Sequence, residues 1–158
     1  MKETNKDSLN YLAEKLADTM FKFKKICNEK EAYFAHQVGI TPVEFRCLRY
    51  LEGKEYVIVK DLAELMNLKP SRITRLISSL EEKKYVRREL DLIDRRNVRI
   101  YLNKNKQKIL DGINKKYVLL HYEILESLPT DFVGNAVNEL EEFYGIIEKW
   151  VEENVHKN

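Results

Sequence analysis

Two short helical segments, separated by only a few residues, constrain this chain more than any other feature of its sequence. The first segment, residues 60–68, places on one helical face the apolar side chains Leu62, Ala63 and Met66. Residues 67–69 leave room only for a tight connection, and Pro70 suits the first turn of a second helix that should run to about Lys83. Two short helices joined this closely predict a helix-turn-helix.

The second predicted helix has one apolar and one polar face. The apolar face consists of Ile73, Leu76, Ile77 and Leu80. The opposite face, toward the N-terminal end of this helix, carries Ser71, Arg72, Thr74, Arg75 and Ser78. Arginine can form two hydrogen bonds with guanine, and serine and threonine reach base edges or phosphate oxygens. Any one of these residues is ordinary on a solvated helix, but five together favour a surface that reads nucleic acid.

A charged loop follows between two stretches that are typical of strands. Residues 85–90 are typical of one strand, and residues 97–102, where polar and apolar side chains alternate, are typical of another. The two predict a β-hairpin with residues 91–96 at its tip. Such a tip would lie over a minor groove, whose negative potential attracts arginine. At the tip, the residues predicted to contact the nucleic acid are Asp94, Arg95 and Arg96. On the strands, the residues predicted to contact the nucleic-acid backbone are Arg87, Arg88 and Arg99.

The acidic residues of this loop leave two interpretations open. Asp94 could pair with one of the tip arginines, or with an arginine of the second helix, and so hold the loop in shape. Alternatively the loop neutralises itself, with Asp91 and Asp94 pairing with Arg95 and Arg96. Self-neutralisation would leave the positive surplus around the loop unexplained.

The charge of the chain is unevenly distributed. The net charge is only +2, yet residues 57–106 carry 13 Lys/Arg against 7 Asp/Glu, a balance of +6. Residues 123–158 carry 2 Lys/Arg against 9 Asp/Glu, a balance of −7. A basic middle segment and an acidic end indicate that only the middle segment meets a polyanion.

Several classes of function find no support in the sequence. The chain has no apolar run of membrane-spanning length and a polar N-terminus, so we expect a cytoplasmic protein that neither spans nor binds a membrane. It has no glycine-rich phosphate loop, nucleophile elbow or paired-carboxylate motif, so we expect no enzyme and no cofactor. The three histidines (His36, His121 and His156) lack metal-ligand spacing, and Cys27 and Cys47 form no CxxC pair.

Longer helices are predicted on both sides of the basic segment. Residues 8–34 repeat apolar side chains at spacings of three and four, as do residues 104–126 and 130–155, where Thr130 is the expected helix cap. A further helix should begin at Thr41 and Pro42 and end near Leu51. The fold class predicted is mainly α, with a small β-hairpin.

Taken together, the central segment resembles the MarR family of winged helix-turn-helix transcriptional regulators. The matching stretch, residues 61–105, reads DLAELMNLKPSRITRLISSLEEKKYVRRELDLIDRRNVRIYLNKN, and TPVEFRCLRYL resembles the helix before it. The order of elements fits from residue 8 to 155. The departures are Asn103 and Lys106, where the family often has Thr and Gly, and Lys69, where Ser or Thr often caps the recognition helix. Lys69 loses that cap but could reach phosphate.

The resemblance implies an architecture and partners. It implies a winged helix-turn-helix at 41–103 and a helical dimerisation domain at 8–34 and 104–155, so that a homodimer binds a near-palindromic site on double-stranded DNA. It also implies a repressor that a small phenolic or lipophilic effector releases from DNA. Residues that could line the effector cleft are Tyr33, Phe34, His36, Tyr50 and Tyr117. Each of these could instead be interface core, which is the more common role for such a residue. Cys27 lies too late in its helix to match the family's peroxide-sensing cysteine.

One alternative class stays open. A winged helix can serve as a protein-interaction module that binds no specific DNA sequence. Such modules usually lack arginines on both the second helix of the helix-turn-helix and the wing. This chain has arginines on both, since its wing is the predicted β-hairpin. Weak, salt-insensitive DNA binding would favour that alternative.

Overall fold

The fold was obtained as a computed structural model, which describes residues 2–91, 94 and 97–155, with side chains from residue 6 onward. Six helices and three strands occur in this part of the chain. In chain order they are α1 (Lys2–Gln37), α2 (Pro42–Leu51), β1 (Val57–Ile58), α3 (Val59–Leu65), α4 (Pro70–Glu82), β2 (Val86–Leu90), β3 (Val98–Leu102), α5 (Lys104–Glu126) and α6 (Thr130–Asn154). This confirms the predicted fold class. The chain divides into two compact units, Met1–Asp111 and Gly112–Asn158.

Local signals set the helix starts around the predicted helix-turn-helix. The Thr41 side chain accepts a hydrogen bond from the Glu44 amide, and the Glu44 carboxylate accepts one from the Thr41 amide, so α2 begins with a complete capping box. Pro70 stands in the first turn of α4. Between α3 and α4, Asn67 adopts a positive φ of 50°, a conformation that asparagine tolerates better than most residues. The predicted limits of α2 and α4 are confirmed to within a residue.

The strands form one small antiparallel sheet in the order β1-β3-β2. The hairpin pairs Val86 with Leu102 and Leu90 with Val98, so the predicted β-hairpin, which would form the wing, is confirmed apart from one residue at the start of each strand. The short β1 adds to the other edge of β3, pairing Val57 with Ile100. Because side chains alternate along a strand, Arg87 and Arg88 point to opposite faces of the sheet.

The core of the first unit lies among α2, α3, α4 and the sheet. Its largest fully buried side chains are Phe45, Cys47, Leu51, Leu62, Ile73, Ile77, Leu80 and Ile100. Leu76, expected in the core, is only half-buried. The C-terminal end of α1 joins this unit, because Phe34 stacks on Phe45 with ring centroids 6.5 Å apart and Glu31 pairs with Arg46.

The long helices leave their apolar stripes largely uncovered within one chain. On α1, Leu9 and Leu12 are 66% and 54% exposed. In the second unit, α6 buries none of its side chains fully, and Leu140 and Trp150 are 57% and 61% exposed. The expected cap at Thr130 is wrong, because Pro129 occupies the N-cap position and Thr130 begins the helix. None of the helices in the described residues combines the length and apolarity needed to cross a membrane.

Candidate nucleic-acid interface

Helix α4 presents on its outer face the residues that were predicted to contact nucleic acid. Ile73, Ile77 and Leu80 are buried beneath it, while Ser71, Arg72, Thr74 and Arg75 are exposed and Ser78 is half-buried. No described residue forms a hydrogen bond or ion pair with the guanidinium of Arg72 or Arg75. Two arginines therefore reach into solvent from a helix whose other face is fixed in the core.

Two of the three hydroxyl groups on this face are held against the helix itself. Thr74 Oγ1 donates to the carbonyl oxygen of Pro70 at 3.0 Å, and Ser78 Oγ donates to that of Thr74 at 3.0 Å. With their protons engaged, the Thr74 oxygen can still accept a hydrogen bond, whereas the Ser78 oxygen already accepts one from Arg88 Nη1 at 3.3 Å. In this arrangement Thr74 suits a donor such as a base amino group better than a phosphate oxygen.

Arg88 links the C-terminal half of α4 to the first strand of the hairpin. Its Nε lies 2.8 Å from Glu81 Oε2, its Nη2 pairs with the same oxygen, and its Nη1 lies 3.3 Å from Ser78 Oγ. The Arg88 amide also donates to Glu81 Oε1 at 3.2 Å. Arg88 is thus held by intramolecular bonds, and sequence reasoning did not identify Glu81 as its partner.

Glu44 makes a second cross-link to α4, and it too was missed. Its side chain is 3% exposed, and Ser79 Oγ and Lys83 Nζ donate to its Oε1 at 2.6 and 2.8 Å. Lys83 Nζ and the Thr41 amide each donate to Oε2 at 2.7 Å. Burial by itself would raise the pKa of Glu44, but the hydrogen bonds from Lys83, Ser79 and Thr41 outweigh it and lower the pKa from 4.5 to about 2.

Asp91 binds both to β3 and to the loop at the base of the wing, the hairpin formed by β2 and β3. Arg99 Nε donates to Asp91 Oδ2 at 2.7 Å, and the Asp94 amide donates to Asp91 Oδ1 at 3.1 Å. The Arg99 guanidinium also lies 4.3 Å from the centre of the Tyr56 ring. The bond to Asp91 raises the pKa of Arg99. Arg95 and Arg96, the predicted tip contacts, lie outside the described residues.

Arg87 and Lys69 are the remaining predicted contacts to the DNA backbone. Arg87 pairs with Glu89 and stacks over the Tyr101 ring, 4.1 Å from its centre. Lys69 is exposed at the N-cap of α4 and makes no side-chain cap hydrogen bond, so the loss of a cap that the sequence indicated is confirmed.

The predicted effector-cleft residues are placed in different environments. In the first unit, Phe34 is buried, Tyr50 is half-buried, and Tyr33 and His36 are exposed; in the second unit, Tyr117 is half-buried beside His121. Two of the surface grooves lined by described residues have volumes of about 430 and 770 Å³, and none of these five residues lines either of the two.

The cysteines and histidines form no reactive cluster in the described part of the chain. No group of three or more His, Cys, Asp or Glu residues there could hold a metal ion. Cys27 is half-exposed. Burial, together with the negative charge of Glu44, raises the pKa of the Cys47 thiol to about 12, so Cys47 is a core residue rather than a nucleophile. His156 lies outside the described residues.

Comparison of the sequence with known proteins points to regulators of transcription. The MarR family model matches residues 38–96, which contain α2, α3, α4 and β2. The HTH-type transcriptional regulator SarZ of Staphylococcus haemolyticus is 29% identical over 139 residues, which cover 85% of this chain and 89% of that protein. SarZ of Staphylococcus aureus is 27% identical over 132 residues, covering 82% and 88%.

Solved structures share the fold at low sequence identity. AbsC, a MarR family transcriptional regulator from Streptomyces coelicolor, has a TM-score of 0.75 and 18% identity, and the match covers 88% of this chain and 93% of that one. FabT of Streptococcus pneumoniae, solved in complex with DNA, has a TM-score of 0.74 and 16% identity, covering 85% and 99%.

Proposed function

The chain belongs to the MarR family of winged-helix transcriptional regulators, and from this premise we propose that it binds a specific double-stranded DNA site as a homodimer. The two α4 helices of the dimer would enter successive major grooves of a near-palindromic operator, about one helical turn apart. Ser71, Arg72, Thr74, Arg75 and Ser78 would meet bases and phosphates there. FabT is a relative in fold that was solved in complex with DNA, and it supports this proposal.

One observation supports the proposal that the protein recognises a specific DNA sequence. Arg72 and Arg75 are exposed and have no partner among the described residues, while the face of α4 behind them is buried. A free guanidinium on a fixed helix retains both the positive charge that attracts phosphate and the paired donors that match guanine. A protein-interaction module, the alternative function, would have no need of two unpaired arginines at these positions.

The wing would extend the contact into the minor groove. We assign this role to Asp94, Arg95 and Arg96, with Arg96 as the residue that enters the groove. Lys69, Arg87, Arg88 and Arg99 remain predicted contacts to the DNA backbone. Of these four, Lys69 is the one whose side chain has no partner among the described residues.

The uncovered apolar stripes support the homodimer. Single exposed apolar residues are normal on a protein surface, but both α1 and α6 carry long rows of them. A second copy of the chain, with the same rows, would cover them symmetrically. We therefore keep 8–34 and 104–155 as the proposed dimerisation domain and 41–103 as the proposed DNA-binding domain.

Repression, an effector and a cytoplasmic location complete the proposal. A dimer that covers two successive major grooves would exclude other proteins from that DNA, which favours a repressor. A small phenolic or lipophilic molecule would contact Tyr33, Phe34, His36, Tyr50 or Tyr117 and release the DNA. A regulator that binds chromosomal DNA would act in the cytoplasm, which is the location that we propose.

Replacing Arg75 by alanine is expected to weaken binding to the operator by about 1–3 kcal/mol and to relax sequence preference, because a two-bond contact to guanine is lost. The measurement is fluorescence anisotropy on DNA selected from a random pool, against scrambled DNA, at two salt concentrations. Arg75→Lys retains the charge and loses the paired donors, so it should lose preference while keeping most non-specific affinity.

Two further variants complete that experiment. Lys6→Ala removes an exposed charge from α1, outside both proposed domains, and should leave operator affinity unchanged. Arg96→Ala tests the wing and should weaken binding. If Arg75→Ala binds the operator as wild type does, Arg75 does not read bases. If wild type binds both DNAs equally and weakly, the interaction-module function is favoured instead.

A further inference from the structure

Polar side chains hold α4 from both of its flanks. Around the helix axis, Ser79 and Lys83 lie on the side that carries Arg72, and both bind Glu44 of α2. Ser78 and Glu81 lie on the side that carries Thr74, and both bind Arg88 of β2. We call these two sets of contacts the Glu44 clamp and the Arg88 clamp.

The two clamps differ in kind from the apolar packing beneath the helix. Ile73, Ile77 and Leu80 hold α4 to the core, but apolar burial is non-directional and tolerates small rotations. Hydrogen bonds weaken steeply when their angles and distances change. Bonds on both flanks therefore oppose rotation of α4 about its own axis in either sense.

A small rotation of α4 would matter greatly for reading DNA. Backbone atoms lie only ~2.3 Å from a helix axis, but an extended arginine tip lies roughly 8 Å from it, so a turn of roughly 15° displaces the guanidinium by about 2 Å. A displacement of that size exceeds the tolerance of a hydrogen bond to a base edge. Contacts to phosphates, which rest more on charge, would suffer less.

We propose that Glu44 and Arg88 are positioning residues for DNA recognition, which fix the rotation of α4 and thereby set sequence discrimination. This inference rests on the proposed function. It gives Glu81 a defined role as the acid that orients Arg88, although an acidic side chain near DNA would otherwise only repel phosphate. It also connects α4 to α1, because Arg46, two residues after Glu44, pairs with Glu31 of α1.

Glu81→Gln distinguishes this role from a direct phosphate contact by Arg88. Losing an acid near DNA should strengthen non-specific binding in any case. If Arg88 positions α4, Glu81→Gln should also lower the ratio of operator to scrambled-DNA affinity by roughly tenfold, the loss of one well-aligned base contact, with the salt dependence unchanged. The matched control is Glu82→Gln, which removes the same charge from the exposed neighbouring position; it should keep the wild-type ratio.

Glu44→Gln tests the other flank in the same assay. Circular dichroism first identifies a temperature at which each variant is folded, so that a loss of stability is not mistaken for a loss of sequence discrimination. The expected result is again a lower affinity ratio with an unchanged salt dependence. If Glu81→Gln and Glu44→Gln both keep the wild-type ratio, the positioning role is wrong while the proposed function stands. If wild type itself shows no preference for selected DNA, the proposed function fails, and the positioning role fails with it.

Discussion

The substitution Glu44→Gln is expected to lower the free energy of unfolding by about 2–3 kcal/mol, one of the two largest effects that we predict. Glutamine retains an oxygen for the Thr41 amide, so the capping box of α2 can persist. The charge-assisted bonds from Lys83 are lost from a side chain that is only 3% exposed. The drop in the pKa of Glu44 from 4.5 to about 2 corresponds to roughly 3 kcal/mol, which sets the scale.

Urea denaturation at a fixed protein concentration provides the measurement, since stability depends on concentration if the chain dimerises. Glu55→Gln is the matched control, because it makes the same substitution on an exposed side chain and should change stability by less than about 0.5 kcal/mol. Equal stability of Glu44→Gln and Glu55→Gln would contradict the view that the buried pair with Lys83 stabilises the fold.

The contribution of Glu44 should also depend on pH in a defined direction. Its pKa is lower in the folded protein than its ordinary value, so its stabilisation is complete above about pH 4.5 and is lost as the pH falls toward 2. The stability gap between wild type and Glu44→Gln should therefore shrink across that interval. A gap that stays constant from pH 6 to pH 3 would show that the carboxylate charge is not responsible.

The substitution Leu140→Glu is expected to convert the proposed dimer into a monomer at micromolar concentrations. Leu140 is 57% exposed on a helix that buries no side chain fully within one chain. In a dimer this leucine would lie in an apolar interface, where an unpaired carboxylate costs several kcal/mol at each of two symmetric positions. Sedimentation velocity measures the change directly.

Asn138→Glu is the control for Leu140→Glu, because it adds the same charge to an exposed polar position on the same helix. It should leave the assembly state unchanged. Should Leu140→Glu remain dimeric and bind operator DNA as wild type does, α6 would not supply the interface at this position. The DNA assay adds a second readout, since a monomer contacts only half of a near-palindromic site.

The sequence predicted well those parts of the fold that depend on neighbouring residues. Thr41 and Pro42 marked the start of α2, and Pro70 marked the start of α4, because caps and first-turn prolines act within a few residues. Residues 85–90 and 97–102, the second of which alternates polar and apolar side chains, predicted the hairpin for the same reason. The cap at Thr130 failed because Pro129, also a residue suited to a helix start, took that position instead.

The pairing of charges was decided only in the folded chain. Sequence alone offered the tip arginines, which lie outside the described residues, as partners of Asp91. It did not identify Arg99, which the antiparallel register brings close enough to donate to Asp91 Oδ2 at 2.7 Å. Glu44 looked like an ordinary first-turn acid, yet it binds Ser79 and Lys83, 35 and 39 residues away. Local rules fix where a helix begins and which face is apolar. Which charged groups meet depends on how helices pack, and no local pattern encodes that.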